Sequence, residues 1–108
     1  MNMKESPYAV SLEGKGRFQR LLAGEPSTRG MKSGAVVLKP GESVGEHSTG
    51  AREEAIILLE GQGKLVFGKG ELDASEGMLV YVPPETVHDF ANTGQGPLKY
   101  VYVVAPAG

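Results

Sequence analysis

The feature that most constrains the fold is a regular alternation of short apolar runs with glycine or proline turns, which begins near Gly34 and continues along the chain. Turns are marked at Pro40-Gly41, at Gly61-Gln62-Gly63 and at Pro83-Pro84. Short apolar runs between such turns are typical of strands. The pattern predicts about eight strands, and their even spacing favours a β-sandwich or a closed barrel. The run Ile56–Leu59 predicts a strand that is buried on both faces.

The segment before this pattern is less regular. We predict a loose arm over Met1–Pro7 and two short strands, Tyr8–Leu12 and Arg17–Leu22. A length of 108 residues is typical of a single domain. Within that domain we divide the chain into an N-terminal arm with pairing strands, residues 1–33, and a barrel, residues 34–108.

Composition excludes several classes of function. The net charge is −2 and lysine and arginine do not cluster, so we expect no nucleic-acid partner. The chain has no cysteine, which excludes disulfides and thiolate metal ligands. No apolar run approaches the roughly 20 residues of a membrane-spanning helix, and the N-terminus lacks the apolar core of a signal peptide. We therefore expect no membrane association and a cytoplasmic location.

Two segments hold the two histidines of the chain. In the first, His47 lies on a short predicted strand, Ser43–Ser48, and Glu54 begins the next strand after a short loop. If these two strands pair, His47 and Glu54 come close together, and His88 then has to come from the facing sheet. Two imidazoles and one carboxylate with open positions suit a divalent transition metal. Without cysteine, Fe, Mn, Ni, Co, Cu and Zn all remain open.

The two segments also resemble the two motifs of the cupin superfamily, in particular its small single-domain members. The first motif is matched in spacing by Gly41, His47, Thr49, Glu54 and Gly61, and the second by Gly77, Pro83, Glu85, His88 and Asn92. The resemblance covers about residues 34 to 104. It implies an all-β, double-stranded β-helix or jelly-roll barrel, with His47, Glu54 and His88 as metal ligands.

The sequence departs from the family pattern at two positions. Thr49 stands where a second histidine ligand is usual, and Glu85 replaces a turn glycine, which implies a different turn conformation. Glu53 competes with Glu54 as the carboxylate ligand, but the spacing to Gly61 favours Glu54. On an alternating strand Glu53 then points the other way.

Several further residues are open to two interpretations. Arg52, beside the expected pocket mouth, could bind an anionic substrate or be a solvated loop residue. Tyr81, Phe90, Tyr100 and Tyr102 could line the barrel or form core and interface contacts.

The resemblance implies a small molecule bound through a divalent metal in the barrel. It leaves open whether the protein is an enzyme, such as a metal-dependent oxygenase or isomerase. The alternative is a metal-free, non-enzymatic module that binds or senses a sugar-like molecule. We also expect a homodimer, because a two-sheet protein has exposed edge strands and the early strands could pair with a second copy.

Overall fold

A computed structural model describes residues 6–14 and 16–108. The described part contains nine strands and no helix. The first five residues of the predicted N-terminal arm lie outside the described residues. The strands are β1 Phe18–Ala23, β2 Lys32–Leu38, β3 His47–Ser48, β4 Arg52–Glu60, β5 Gln62–Phe67, β6 Gly70–Ser75, β7 Leu79–Val82, β8 Val87–Asn92 and β9 Leu98–Pro106.

The strands form two antiparallel sheets. The five-stranded sheet has the order β1-β2-β9-β4-β7, and the four-stranded sheet has the order β3-β8-β5-β6. Neighbours in space are mostly distant in sequence, because the chain repeatedly crosses from one sheet to the other. The prediction of an all-β protein with short, turn-separated strands is confirmed.

The core lies between the two sheets and follows the two-residue period of the strands. Ile56 and Leu58 point inward and are almost completely buried, whereas Leu59 is 45% exposed. The sequence predicted that the run Ile56–Leu59 is buried on both faces. This is wrong, because nothing in the described part of the chain covers its outer face. Phe90 and Tyr100 meet edge to face at 5.0 Å between ring centroids in the middle of this core.

The early segments behave differently from one another. The predicted strand Arg17–Leu22 is confirmed as β1, which pairs antiparallel with β2 at the edge of the five-stranded sheet. The predicted strand Tyr8–Leu12 is wrong, since this segment has no strand partner in the described chain. Side-chain bonds hold it instead: the Tyr8 hydroxyl donates to the Ser27 carbonyl, and Gln19 Nε2 donates to the Ser11 carbonyl. The division at residue 34 stays a prediction.

The strand predicted over Ser43–Ser48 is mostly absent. Only His47 and Ser48 form a strand, and Ser43 makes a single isolated bridge to Ala91. Gly45 explains the interruption, because its φ of 99° is not compatible with an extended strand. The short β3 therefore begins only after this glycine.

The turn between β7 and β8 contains an unusual backbone conformation. Glu85 has a φ of 55°, the one positive φ found outside glycine among the described residues. This is the left-handed region that favours glycine. The presence of glutamate in place of the usual glycine had suggested a different turn conformation. Glu85 instead adopts the backbone conformation that glycine favours.

We predict that Glu85→Gly stabilises the protein by about 0.5–1 kcal/mol, because it relieves the left-handed strain at the cost of extra freedom in the unfolded chain. Urea unfolding would measure the change. Glu85→Ala removes the same exposed side chain without relieving the strain, so its free energy of unfolding should stay near that of the wild type. Equal effects of the two substitutions would contradict the prediction.

Candidate metal centre

The three predicted ligands meet between the two sheets. His47 on β3 and His88 on β8 are directly paired in the four-stranded sheet. Glu54 faces them from β4 in the five-stranded sheet. One ligand atom from each of the three residues lies within 4.8 Å of the other two. The predicted convergence is therefore present, with His47 exposed and the other two side chains buried.

The strands that bring the three residues together differ from those expected from the sequence. β3 and β4 do not pair; the loop between them carries the chain from one sheet to the other. It is His47 and His88 that share a sheet, with their ring centroids 4.3 Å apart, and Glu54 that reaches them from across the core. The site therefore ties the two sheets together.

Both imidazole rings are oriented by main-chain carbonyl groups. Nδ1 of His47 lies 2.9 Å from the Gly45 carbonyl oxygen, and Nδ1 of His88 lies 2.9 Å from the Thr86 carbonyl oxygen. A carbonyl oxygen can only accept, so each Nδ1 carries the proton of its hydrogen bond. In a neutral ring, Nε2 then holds a free lone pair. This is the arrangement that protein metal sites use to orient histidine ligands.

The contact between His88 and Glu54 joins two acceptor atoms. Nε2 of His88 lies 2.9 Å from Oε1 of Glu54. With the proton of a neutral His88 held on Nδ1, both facing atoms present lone pairs, and they repel unless a cation or a second proton lies between them. The pair is therefore built to share either a proton or a metal ion.

Glu54 has an unfavourable environment for its charge. Burial raises the pKa of this carboxyl group above its usual value of 4.5, and the positive charges that His88 and His47 can carry only partly oppose the effect. Glu53, the alternative ligand, points away from the site and accepts a 2.8 Å hydrogen bond from the Tyr81 hydroxyl. Glu54 is thus the carboxylate that joins the two histidines.

The hydroxyl group of Thr49 forms hydrogen bonds with main-chain groups. It donates to the Pro83 carbonyl at 2.7 Å and accepts from the Thr86 amide at 3.0 Å. These bonds attach the residue that directly follows β3 to the turn before His88. At the position where a further ligand is usual, this chain therefore has a residue that supports the ligand-bearing turn.

A cavity of about 360 Å³ adjoins the site. It is lined by His47 and Glu54 at the ligand end and elsewhere by Phe18, Val36, Val44, Ser48, Thr49, Arg52, Tyr100, Tyr102 and Val104. The sequence had left the roles of Arg52, Tyr100 and Tyr102 open, and all three line the cavity. Phe18 was not identified from the sequence, because β1 lies outside the cupin-like motifs. Only the apolar character of Phe18 in an edge strand could have suggested a role.

Comparison with known proteins identifies the family of this chain. The sequence profile of the cupin domain matches residues 34–104, which include both histidine segments and strands from both sheets. The chain belongs to the cupin family. The predicted double-stranded β-helix fold is thereby confirmed, and it is also found in solved structures similar to this cupin.

Individual relatives of this cupin share less of its sequence. It is 34% identical over 53 residues to an uncharacterized protein of Methanocaldococcus jannaschii, which covers 49% of this cupin and 42% of that protein. The cupin spans less than half the length of the curated relatives it matches.

The described part of the chain contains no helix that could span a membrane.

Two solved structures illustrate the similarity of fold. A protein of Bacillus halodurans superposes with a TM-score of 0.80 at 20% identity, covering 99% of this cupin and 86% of that chain. A predicted oxalate decarboxylase of Thermotoga maritima gives a TM-score of 0.69 at 18% identity, covering 91% of this cupin and 99% of that chain. At such identities the likeness concerns the fold alone.

The environment of Glu54 leads to a prediction for the protein in the presence of a chelator. Glu54→Gln should raise the free energy of unfolding at pH 7 by about 1 kcal/mol, because the amide removes a buried charge and can donate to Nε2 of His88. The folded wild type binds the Glu54 proton more tightly than the unfolded chain does, so its stability increases as the pH falls through the raised pKa. The advantage of the variant should therefore disappear as the pH approaches 4.5.

Chemical unfolding at several pH values would measure this difference. Glu53→Gln is the matched control, since its side chain points away from the site, and its free energy of unfolding should stay within about 0.5 kcal/mol of the wild type. A Glu54→Gln variant that is less stable than the wild type at pH 7 would show instead that a protonated His88 stabilises the carboxylate.

Proposed function

We propose that this cupin binds one divalent transition metal through Nε2 of His47, Nε2 of His88 and the carboxylate of Glu54, and that it holds a small organic molecule in the adjacent cavity. The observation that carries the proposal is the 2.9 Å approach of His88 Nε2 to Glu54 Oε1 while both Nδ1 atoms are held by carbonyl groups. A divalent cation resolves the opposition of these lone pairs and compensates the buried carboxylate.

The donor set suits the metals expected from the sequence. Two neutral imidazoles and one carboxylate form the facial set that binds Fe, Mn, Co, Ni, Cu or Zn and leaves coordination positions open. When bound, such a metal supplies a Lewis acid for a carbonyl group or a site for oxygen chemistry. The protein fixes the ligands through their Nδ1 bonds and presents the ligand end to a cavity with largely apolar walls. This combination supports a metal-dependent oxygenase or isomerase as the first candidate.

A second candidate function is metal-free binding or sensing of a small, sugar-like molecule. The same contact favours it, because the 2.9 Å distance is also that of a hydrogen bond. If His88 carries a second proton, it donates to Glu54 and the pair needs no metal. The two candidates therefore differ in what lies between two named atoms, which metal analysis distinguishes.

We predict about one equivalent of bound metal per chain after reconstitution with Mn²⁺, Fe²⁺, Co²⁺, Ni²⁺, Cu²⁺ or Zn²⁺ in separate samples. Binding to the folded state alone should stabilise the protein by about 4 kcal/mol at a metal concentration a thousand times Kd, which is measurable as a rise in Tm. Mass spectrometry of metal content and thermal unfolding with and without chelator would measure both effects.

His47→Ala is the most informative variant for this test, because His47 is exposed and its removal leaves the core intact. It should lose the metal-dependent rise in Tm, as should His88→Ala, whereas Glu53→Gln should retain it. Full metal occupancy in both histidine variants would overturn the ligand assignment. A wild type that binds none of these metals would favour the metal-free candidate.

We further propose that the protein is a homodimer joined through the outer face of the five-stranded sheet. Leu79 and Tyr81 on the edge strand β7 are 62% and 54% exposed. Strand pairing places Leu79 beside Ile57, and Ile57 beside Val101, in one apolar row across this outer face. Contiguous exposed apolar surface of this kind marks an interface, and a second copy meets it with an identical surface.

From the sequence, the dimer contact was expected at the early strands. Because β1 is paired within its own sheet, we place the proposed contact on the sheet face instead.

Sedimentation of the wild type should give a dimer. Leu79→Lys should raise the Kd of this dimer by at least about tenfold, since the substitution buries a charge without a partner. Val66→Lys, at a 42% exposed position on the other sheet, should leave the dimer unchanged. A monomeric wild type would refute the proposal.

A further inference from the structure

The exposed side chain of Arg52 lies at one side of the cavity. Arg52 and Glu54 are two residues apart on β4, so their side chains leave the same face of the strand, with Cα atoms about 7 Å apart. Both line the cavity. Among the described residues the Arg52 side chain has no carboxylate partner, whereas Arg17 is paired with Glu42. The cavity therefore offers an available guanidinium group.

A buried hydroxyl group offers a second polar contact. Tyr100 is only 4% exposed and lines the cavity, yet its hydroxyl makes no hydrogen bond within the described part of the chain. Every fully inaccessible side-chain polar atom described has a hydrogen-bond partner, so this hydroxyl must remain accessible from the cavity. Burial raises the pKa of Tyr100, and the group stays a phenol that can donate a hydrogen bond.

The rest of the cavity wall is mainly apolar. Phe18 and Tyr102 stack with 6.5 Å between ring centroids. Gly34 makes room for the stack, since a Cβ atom there would lie 2.6 Å from Phe18 Cε1 and 2.8 Å from Tyr102 Cε2. Val36, Val44 and Val104 add aliphatic surface, and Ser48 and Thr49 complete the lining. The aromatic and aliphatic part of this wall suits a hydrocarbon body better than a sugar, whose hydroxyl groups on nearly every carbon need polar partners.

The charges of the loaded site favour an anion. Glu54 contributes −1, Arg52 contributes +1 and the divalent metal contributes +2, which gives a net charge of +2 around the cavity. We infer that the ligand is a small amphipathic carboxylic acid. Its carboxylate pairs with Arg52, a neighbouring keto or hydroxyl oxygen faces the metal and Tyr100, and its hydrocarbon body packs against Phe18 and the valines. The metal contact rests on the function proposed above; the contacts with Arg52 and the apolar wall do not.

The experiment uses three probes with the 108-residue chain, both metal-free and loaded with Zn²⁺. The probes are 4-methyl-2-oxopentanoate, its uncharged methyl ester, and glyoxylate, which keeps the 2-oxo acid but lacks the hydrocarbon body. Titrations followed by ¹H–¹⁵N NMR should show that the branched acid binds at least about tenfold more tightly than either of the other probes. The largest shifts should come from β4, β9 and β1.

Variants assign the contacts. Arg52→Gln should weaken binding of the branched acid by about tenfold or more, with affinity for the methyl ester and for Zn²⁺ unchanged. Arg52→Lys should recover part of the loss, and Tyr100→Phe should weaken the acid several-fold. Lys69→Gln removes a similar charge from an exposed turn and should have no effect.

The outcomes separate this inference from the metal proposal. Equal affinity of wild type and Arg52→Gln for the acid, an ester that binds as tightly as the acid, or no binding of any probe overturns the inference. If the protein fails to bind Zn²⁺ but still binds the acid in an Arg52-dependent way, the metal proposal fails and the assignment of the carboxylate is supported.

Discussion

The candidate site depends most on the approach of His88 and Glu54 across the core. A carboxylate and an imidazole nitrogen face each other at 2.9 Å from opposite sheets, in a region that is otherwise filled by aliphatic and aromatic side chains. Such a pair is costly to bury unless a proton or a cation compensates it. The hydrogen bonds around it hold the pair in place: a carbonyl oxygen fixes the ring of His88, and Thr49 secures the turn that carries that carbonyl group.

Much of this arrangement could be predicted from the sequence, because strand alternation and motif spacing determine which residues face inward. The choice of Glu54 over Glu53 followed from a one-residue difference, and on a strand one residue is a change of face. The three candidate ligands could be found for the same reason. Their distribution between sheets could not, since it depends on whether the loop after β3 turns back or crosses the core. Local sequence does not encode that choice.

The errors in the sequence analysis also have local physical causes. A strand was predicted over Tyr8–Leu12, but a strand exists only where a second chain segment offers its hydrogen bonds, and none does so among the described residues. Asn92, noted only as a motif position, proves to be structural. Its buried amide donates to the carbonyl groups of Leu38 and Gly96 and accepts from the Gly94 amide, closing the loop after β8. A polar residue that satisfies main-chain groups from several segments cannot be recognised from spacing alone.

The short strand that carries His47 has a consequence for kinetics. β3 contains two residues, forms one edge of its sheet, and is flanked by Gly45 and Gly50, both with positive φ. Only two residue pairs, His47–His88 and Ser48–Val87, join it to β8. We therefore expect it to open locally at a lower free-energy cost than the long strands. His88 and Glu54, in contrast, are anchored in long, paired strands. The proposed centre therefore combines a fixed pair with one ligand on a short edge strand, and exchange of the proposed metal can proceed by the opening of β3 while the barrel remains folded.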